Sequence, residues 1–203
     1  MATQSFVPIA TISTKIYNYG YYPLLKGDYA PSFYLNREAF VSVQQYLDLQ
    51  QPLVIAFYDG NKNNVSFLDT LVNLQAQLEE NGGNLIVITN NNNRAFRKNV
   101  SQLNNLTVFF DADNEIAEKF GLFDEANPLS GWLSGVDDTN AALPALYVVA
   151  PDRQIAYHYI DYQFNFFGKK PLSKAIVESL LDAVSTLATS NSYRSKWSKR
   201  LVS

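Results

Sequence analysis

Three short, mainly apolar runs constrain the fold of this chain more than any other feature of its sequence. They are PLVIAFY at residues 52–58, NLIVIT at 84–89 and LTVFF at 106–110. The first is typical of a strand that is buried on both faces, the second indicates another buried strand, and the third indicates a further strand. Helical spacing of apolar residues follows the first two runs, at 65–80 and 94–103. This alternation predicts an α/β fold, in which helices cover both faces of a mixed sheet.

Weaker patterns predict the remaining elements. A period of two indicates strands, a period near 3.6 indicates helices, and clusters of Gly, Pro and Asp indicate loops. The sequence predicts a strand or hairpin at 16–22, a strand at 39–43, a helical turn at 44–49, a helix at 115–120, an ordered loop at 122–142, a hairpin with arms at 145–150 and 154–160, and a helix at 171–188.

The composition limits the classes of function. With 203 residues, 47% of them hydrophobic, the chain can bury one sizeable core. Its net charge of -3 argues against nucleic acid as a partner. No run of about 18 apolar residues exists, so no membrane-spanning helix and no membrane partner are predicted. Ser5, Thr11 and Lys15 interrupt the N-terminal segment, so we predict no signal peptide and expect a cytoplasmic location.

The chain contains no cysteine. Disulfides, thiolate metal ligands and thiol nucleophiles are therefore excluded. The one histidine is His158, and the sequence predicts neither a metal site nor a cofactor.

Four sequence motifs, taken in their order along the chain, resemble those of one known family. GDYAPSFYL (27–35) is similar to G-x-x-A-P-x-F-x-L, and PLVIAFYDG (52–60) to the strand that leads into an active site. NLTVFFDADNEIAEKFGL (105–122) and LPALYVVAPDRQIAYHYID (143–161) are similar to the later motifs. Together they resemble the alkyl hydroperoxide reductase / thiol-specific antioxidant family, which consists of peroxiredoxin-like redoxins.

The resemblance implies a thioredoxin-like fold with three layers, α/β/α, around a central mixed sheet. It assigns residues 27–188 to this redoxin domain. Residues 1–26 then form an N-terminal extension, and residues 189–203 form a basic C-terminal tail.

In that family a peroxidatic cysteine stands at the start of the helix after the first long strand, where the helix N-terminus lowers the pKa of its thiol. Here Asn63 falls at that position and Ser66 at the second cysteine. Asp59 replaces the family's arginine, and Gly60 replaces its hydroxyl residue. The resemblance therefore implies a protein that is redox-inactive by itself and carries only vestigial active-site positions.

Pro144 stands where thioredoxin-like folds carry a cis proline that helps to present main-chain groups to an extended peptide. The resemblance predicts a shallow groove between Pro144 and the loop at 59–64. A protein or peptide partner is the expected occupant, and a homodimer or a mixed oligomer with a catalytic relative is the expected assembly.

An enzyme with non-thiol chemistry in the same groove is the alternative. Asp59, Ser66 and His158 are its candidate residues, and Ser66–His158–Asp161 could form a hydrolytic triad. No G-x-S-x-G motif accompanies this serine, which weakens the hypothesis.

Three further groups of residues could bind ligands, and each has a structural interpretation that we favour. Asn61, Asn63 and Asn64 suit a loop and a helix N-cap, and Asp111-x-Asp113-x-Glu115 suits helix capping better than calcium binding. Tyr17, Tyr19, Tyr21 and Tyr22 suit packing of a terminal hairpin better than a binding platform. The tail around Trp197 suits a solvated or dimer-contacting terminus.

Overall fold

The structure is a computed structural model. It describes residues 20–36, 39–58, 65–91, 94–101, 106–133, 136, 139–162 and 172–200. The side chains of residues 65–69, 95, 99 and 191–200 lie outside this description.

A small hairpin precedes the main sheet. Strands β1 (Tyr34–Asn36) and β2 (Val41–Ser42) pair antiparallel, and helix α1 (Val43–Leu47) follows directly. The predicted strand at 39–43 is therefore shorter, and the predicted helical turn starts one residue earlier. Residues 20–22 form no strand, and the rest of the predicted N-terminal hairpin lies outside the described residues.

The main sheet has five strands and mixed direction, as predicted. They are β3 (Leu53–Phe57), β4 (Asn84–Thr89), β5 (Thr107–Phe110), β6 (Ala145–Val149) and β7 (Ile155–Ile160), arranged in the order β5-β4-β3-β6-β7. The pairs β3–β4 and β4–β5 are parallel, whereas β3–β6 and β6–β7 are antiparallel. Every residue of β3 and all but the first residue of β4 are buried, which confirms the interpretation of the first two apolar runs as buried strands. The third run forms β5, which lies at the edge of the sheet and is only half-buried.

Helices α2 (Val65–Glu80), α3 (Arg94–Ser101) and α5 (Lys174–Arg200) cover one face of the sheet. The other face is covered by α1, by α4 (Glu115–Lys119) and by the segments around Phe33 and Leu143. The two apolar clusters on either side of the sheet give the three-layer α/β/α arrangement that the sequence predicts.

Helix α5 runs twelve residues beyond its predicted end at Ala188, to Arg200. The extension carries polar residues without an apolar stripe, so no periodic pattern indicated a helix. It contains no Gly or Pro that would end one. At its other end the helix begins at Lys174 rather than at Pro171.

Gly121 ends α4 and lets the N-terminal segment approach closely. Its φ is +68°, and a Cβ on it would lie 2.0 Å from the carbonyl oxygen of Tyr22. The amide of Leu24 donates to the carbonyl of Phe120 at 3.1 Å in the same contact. Only glycine accommodates both the backbone conformation and the contact.

Within the part of the chain that the structure describes, no helix is both long enough and apolar enough to cross a membrane.

Candidate functional site

One edge of the main sheet collects the ends of four strands. Strands β3, β4 and β5 run parallel, so their carboxyl ends meet at this edge. Ala145, the first residue of β6, pairs with Phe57, the last residue of β3. Pro144 therefore lies at the same edge, next to the point where β3 ends. We refer to this region as the carboxyl edge.

The structure describes only some of the residues at the vestigial active-site positions. Asp59, Gly60, Asn61, Asn63 and Asn64 lie outside the described residues. Ser66 is the second residue of α2, and its side chain is not described. The predicted groove between residues 59–64 and Pro144 therefore stays a prediction.

The backbone around Pro144 is used inside the fold. The described residues contain no cis peptide bond, so the Leu143–Pro144 bond is trans, unlike the cis proline of the folds that this segment resembles. The carbonyl of Pro144 accepts a hydrogen bond from the Asp161 amide at 2.8 Å, and the Leu143 amide donates to the carbonyl of Leu122 at 2.8 Å. Both groups are used inside the fold, because the β6–β7 hairpin and the 122–142 loop pack against this segment.

A pocket opens at the carboxyl edge beside Leu143. Its empty space is about 230 Å³, part of which is open to solvent. Apolar side chains form its walls, and four polar residues at the ends of β4 and β5 complete it. The lining residues are Phe57, Tyr58, Ile88, Thr89, Asn90, Asp111, Asn114, Ala117, Ala142 and Leu143.

An asparagine network holds the polar side of this pocket. The Nδ2 of Asn114 donates to the carbonyl oxygen of Asn140 at 2.9 Å and to its Oδ1 at 2.7 Å. The Nδ2 of Asn90 donates to the same carbonyl, and the Nδ2 of Asn140 donates to the carbonyl of Ala112 at 3.2 Å. Asn140 thus joins the end of β4 to the turn that follows β5.

Asp111 provides the negative charge of the pocket. Its side chain is 7% exposed, and its Oδ2 accepts hydrogen bonds from the amides of Ile116 at 2.9 Å and Ala117 at 3.0 Å. Burial raises the pKa of the Asp111 carboxyl, because desolvation outweighs these hydrogen bonds and the nearby Glu115 adds repulsion. The predicted capping role of Asp111 is confirmed, although residue 114 is the N-cap of α4.

No cluster of three or more acidic, histidine or cysteine side chains suited to a metal ion occurs among the described residues. The hydrogen bonds of Asp111 to backbone amides show that it caps the helix in this structure.

His158 lies away from the pocket. It pairs with Tyr147 across β6 and β7, so its side chain is on the same face as Tyr147, opposite to α2. Its Nδ1 accepts a hydrogen bond from the Lys26 amide at 2.9 Å. Burial is the main cause that lowers the pKa of His158. Helix α2 carries Ser66 on the other face, so this topology argues against the Ser66–His158–Asp161 triad.

The tyrosine cluster is described only from Tyr21 onward. Tyr21 is buried, its hydroxyl donates to the carbonyl of Asn127 at 3.2 Å, and its ring meets Trp132 edge-on at 5.7 Å. Burial raises the pKa of Tyr21 to about 12. Tyr21 packs the N-terminal segment onto the core, which confirms the structural interpretation for this residue, whereas Tyr22 is largely exposed. Tyr17, Tyr19 and the Trp197 side chain lie outside the described residues.

Sequence reasoning missed four residues of the pocket region: Thr89, Asn90, Asn114 and Asn140. A usable signal existed for the first two, because polar residues directly after a buried strand mark the carboxyl edge of a sheet. Asn140 lies in a loop, 26 residues from its partner Asn114. Nothing in the local sequence indicates that pairing.

Comparison with solved structures supports the fold. The peroxidoxin BcpB of Mycobacterium tuberculosis superposes with a TM-score of 0.59 at 16% identity, covering 80% of this chain and 97% of that chain. The AhpC of Mycobacterium tuberculosis gives 0.57 at 14% identity, covering 80% and 93%. The reduced 2-Cys peroxiredoxin of Plasmodium vivax gives 0.57 at 13% identity, covering 82% and 85%. At such identities the likeness shows the shared fold alone.

The family of the chain is assigned from its sequence. No curated protein matches the chain significantly. The profile of the AhpC/TSA family matches residues 26–158, which is more than half of the 203 residues. The motifs, the strand order and this match agree, and the chain belongs to the AhpC/TSA family.

Proposed function

We propose that this member of the family is redox-inactive by itself and acts by binding a protein or peptide at the carboxyl edge of its sheet. In this proposal Asp59, Gly60, Asn63 and Ser66 occupy the positions of the lost thiol site, and Pro144 borders the pocket. The absence of every cysteine removes the nucleophile on which the family's chemistry depends.

One observation carries the proposal: a pocket with apolar walls and four polar residues lies at the carboxyl edge, where the resemblance places the vestigial positions. Its polar side chains are held in place by the fold, because Asp111 accepts two backbone amides and Asn114 donates to Asn140. A partner at this edge therefore meets a preformed surface.

The size of the pocket argues against a small-molecule ligand. Such sites usually enclose about 300–1,000 Å³, whereas the space here, about 230 Å³, includes open solvent and lies beside side chains that are almost fully buried. In this proposal a peptide therefore lies across the carboxyl edge and contacts the mouth of the pocket.

The test combines an activity assay with a binding assay on the full chain. Peroxide consumption with a thiol reductant should not exceed the blank. Capped tripeptides that differ in the central residue should shift the amide resonances of Thr89, Ile116 and Ala117 in the ¹⁵N-labelled protein. Measurable peroxide turnover, or no shift from any peptide at millimolar concentration, would overturn the proposal.

Two alanine-to-leucine variants test where on the protein the peptide binds. Ala142 lines the pocket and Ala126 is an exposed loop residue. Ala142→Leu should fill the pocket and reduce peptide binding by at least about tenfold, whereas Ala126→Leu should leave it unchanged. Equal binding by both variants would place the peptide elsewhere.

The assembly and location of the chain are separate parts of this proposal. A homodimer and a cytoplasmic location stay predictions, and so does a mixed oligomer with a cysteine-bearing relative. Light scattering after size-exclusion chromatography tests the first, and co-purification with the relative tests the last.

A further inference from the structure

A side-chain contact ties the turn at residues 25–28 to β7, at the junction that the sequence predicts between the N-terminal extension and the redoxin domain. The amide of Lys26 donates to Nδ1 of His158 at 2.9 Å, and we refer to this contact as the latch. Within the turn, the Leu25 amide donates to Oδ2 of Asp28 at 2.7 Å. Two successive amides of the turn thus depend on an imidazole and on a carboxylate.

The latch requires one protonation state of His158. A backbone amide can only donate, so Nδ1 must carry a lone pair and the neutral ring holds its proton on Nε2. A protonated imidazole carries an N–H group at both nitrogens and accepts no hydrogen bond. Protonation of His158 therefore removes the acceptor of the Lys26 amide and places two N–H groups against each other.

The charges around His158 extend the effect of protonation to the rest of the turn. Among the described residues, Lys26 and Asp28 are the charges that act on the ring, and Asp28 favours the imidazolium whereas Lys26 opposes it. Tyr147, the cross-strand neighbour on β6, stays neutral because burial raises its pKa. Since the Asp28 carboxylate also accepts the Leu25 amide, an imidazolium competes with that amide for it.

Gly27 separates residues 25 and 26 from the part of the chain that is paired with β7. The Gly27 amide donates to the carbonyl of Ile155 at 2.9 Å, and the Ile155 amide donates to the carbonyl of Asp28 at 2.8 Å. Neither bond involves His158. Gly27 has a φ of +101° and open space where a Cβ would lie, so no side chain at this position resists a rotation of the preceding residues.

We propose that His158 is a pH-dependent switch: its neutral ring holds residues 25 and 26 against β7, and its protonation releases them. The movement is confined to these two residues, because the Leu24 amide donates to the Phe120 carbonyl at 3.1 Å and Gly27 stays paired. Lys26 is exposed, so water replaces the ring as the acceptor and the release is reversible.

The switch is independent of the proposed binding function. Strand β7 runs in the same direction as β3, since both are antiparallel to β6. The first residue of β7, which holds the turn, therefore lies at the end of the sheet opposite the carboxyl edge.

The direction of the pH dependence follows from the protonation state. The latch needs neutral His158, so it is closed at neutral pH and opens on acidification. Burial lowers the pKa of His158 from its usual value of 6.5. Release should therefore occur below about pH 6.5.

The test follows the Lys26 amide in the full ¹⁵N-labelled chain at pH 7 and pH 5. Its protection factor against hydrogen exchange should fall at least about fivefold at pH 5, because the amide loses its acceptor. The Hε1 resonance of His158 reports protonation over the same range. The Ala30 amide, which donates to the Arg153 carbonyl at 2.8 Å, is the internal control and should keep its protection.

Two variants separate the hydrogen bond from the charge. His158→Asn keeps an acceptor, since its Oδ1 can take the place of Nδ1, and it does not titrate, so the Lys26 amide should be protected equally at both pH values. His158→Phe has no acceptor, and the same amide should be unprotected at both. The wild-type chain and His158→Asn keep the test decisive if His158→Phe does not fold.

Two results would overturn the switch. One is constant protection of the Lys26 amide while the His158 resonance titrates. The other is a pH response of His158→Asn equal to that of the wild-type chain, which would assign the change to another group, such as Asp28. Neither result depends on peptide binding, so the switch and the proposed function fail independently.

Discussion

The centre of the sheet and its carboxyl edge differ in what they bury. All five residues of β3 are buried and apolar, and the next strand, β6, adds only one hydroxyl, that of Tyr147. At the carboxyl edge, Thr89, Asp111 and Asn114 are buried as well, although each is polar. The centre is what a stable scaffold requires, because apolar burial stabilises the fold. The edge buries polar groups because they connect the strand ends: Asp111 caps α4, and Asn114 bonds Asn140.

The largest effect is expected from the centre. Phe120 is fully buried and its ring lies 4.9 Å from Phe57 and 5.1 Å from Tyr147. Phe120→Ala should lower the free energy of unfolding by about 3–5 kcal/mol, because it leaves a cavity. Phe40→Ala makes the same change at an exposed aromatic and should stay within about 0.5 kcal/mol. Urea unfolding measures both, and similar losses would contradict the assignment of the core.

The next effect tests the polar edge. Asn114 has a left-handed φ of 55° and two hydrogen bonds to Asn140. Asn114→Ala should cost about 2–3 kcal/mol, since it loses the bonds and places alanine in a disfavoured conformation. Asn114→Gly loses only the bonds and should cost about 1 kcal/mol less. If Asn114→Gly lowers the free energy of unfolding in urea as much as Asn114→Ala does, the left-handed conformation adds nothing to the cost of the alanine variant.

Tyr147 is the polar exception within the apolar centre. Its hydroxyl is buried and has no hydrogen-bond partner among the described residues. Tyr147→Phe should therefore stabilise the protein by about 1 kcal/mol. Tyr21→Phe makes the same change where the hydroxyl donates to Asn127, and it should destabilise by about 1 kcal/mol. Thermal unfolding compares the two, and a loss of stability in Tyr147→Phe would reveal a partner for that hydroxyl.

The smallest effect concerns His158 at the margin of the sheet. Its pKa is lowered in the fold, mainly by burial, so the unfolded chain binds a proton more readily. The stability that depends on neutral His158 is present above about pH 6.5 and is lost as the pH falls below that value. His158 contributes at most about 1.4 kcal/mol per pH unit to the pH dependence of the free energy of unfolding. His158→Gln should flatten the pH dependence between pH 7 and 5, and an unchanged slope would contradict this.

The sequence alone was sufficient for the scaffold. Residues 52–58, 84–89 and 106–110 became β3, β4 and β5, and the helix predicted at residues 65–80 has the same bounds as α2. The predictions of β3, β4 and α2 succeed because burial on both faces of a strand, or on one face of a helix, leaves a local pattern in consecutive residues. The edge strand β5 is only half-buried, and its β-branched and aromatic residues indicated the strand. The absence of cysteine is equally a property of the sequence, and it decided which chemistry the chain cannot perform.

Tertiary structure decided where the polar groups meet. Asn90, Asn114 and Asn140 are separated by up to 50 residues, and only the parallel strands and the returning loop bring them into one hydrogen-bond network. The same packing uses the carbonyl of Pro144 internally and directs His158 to the face opposite α2. Such long-range contacts depend on strand order and loop path, which no local period encodes.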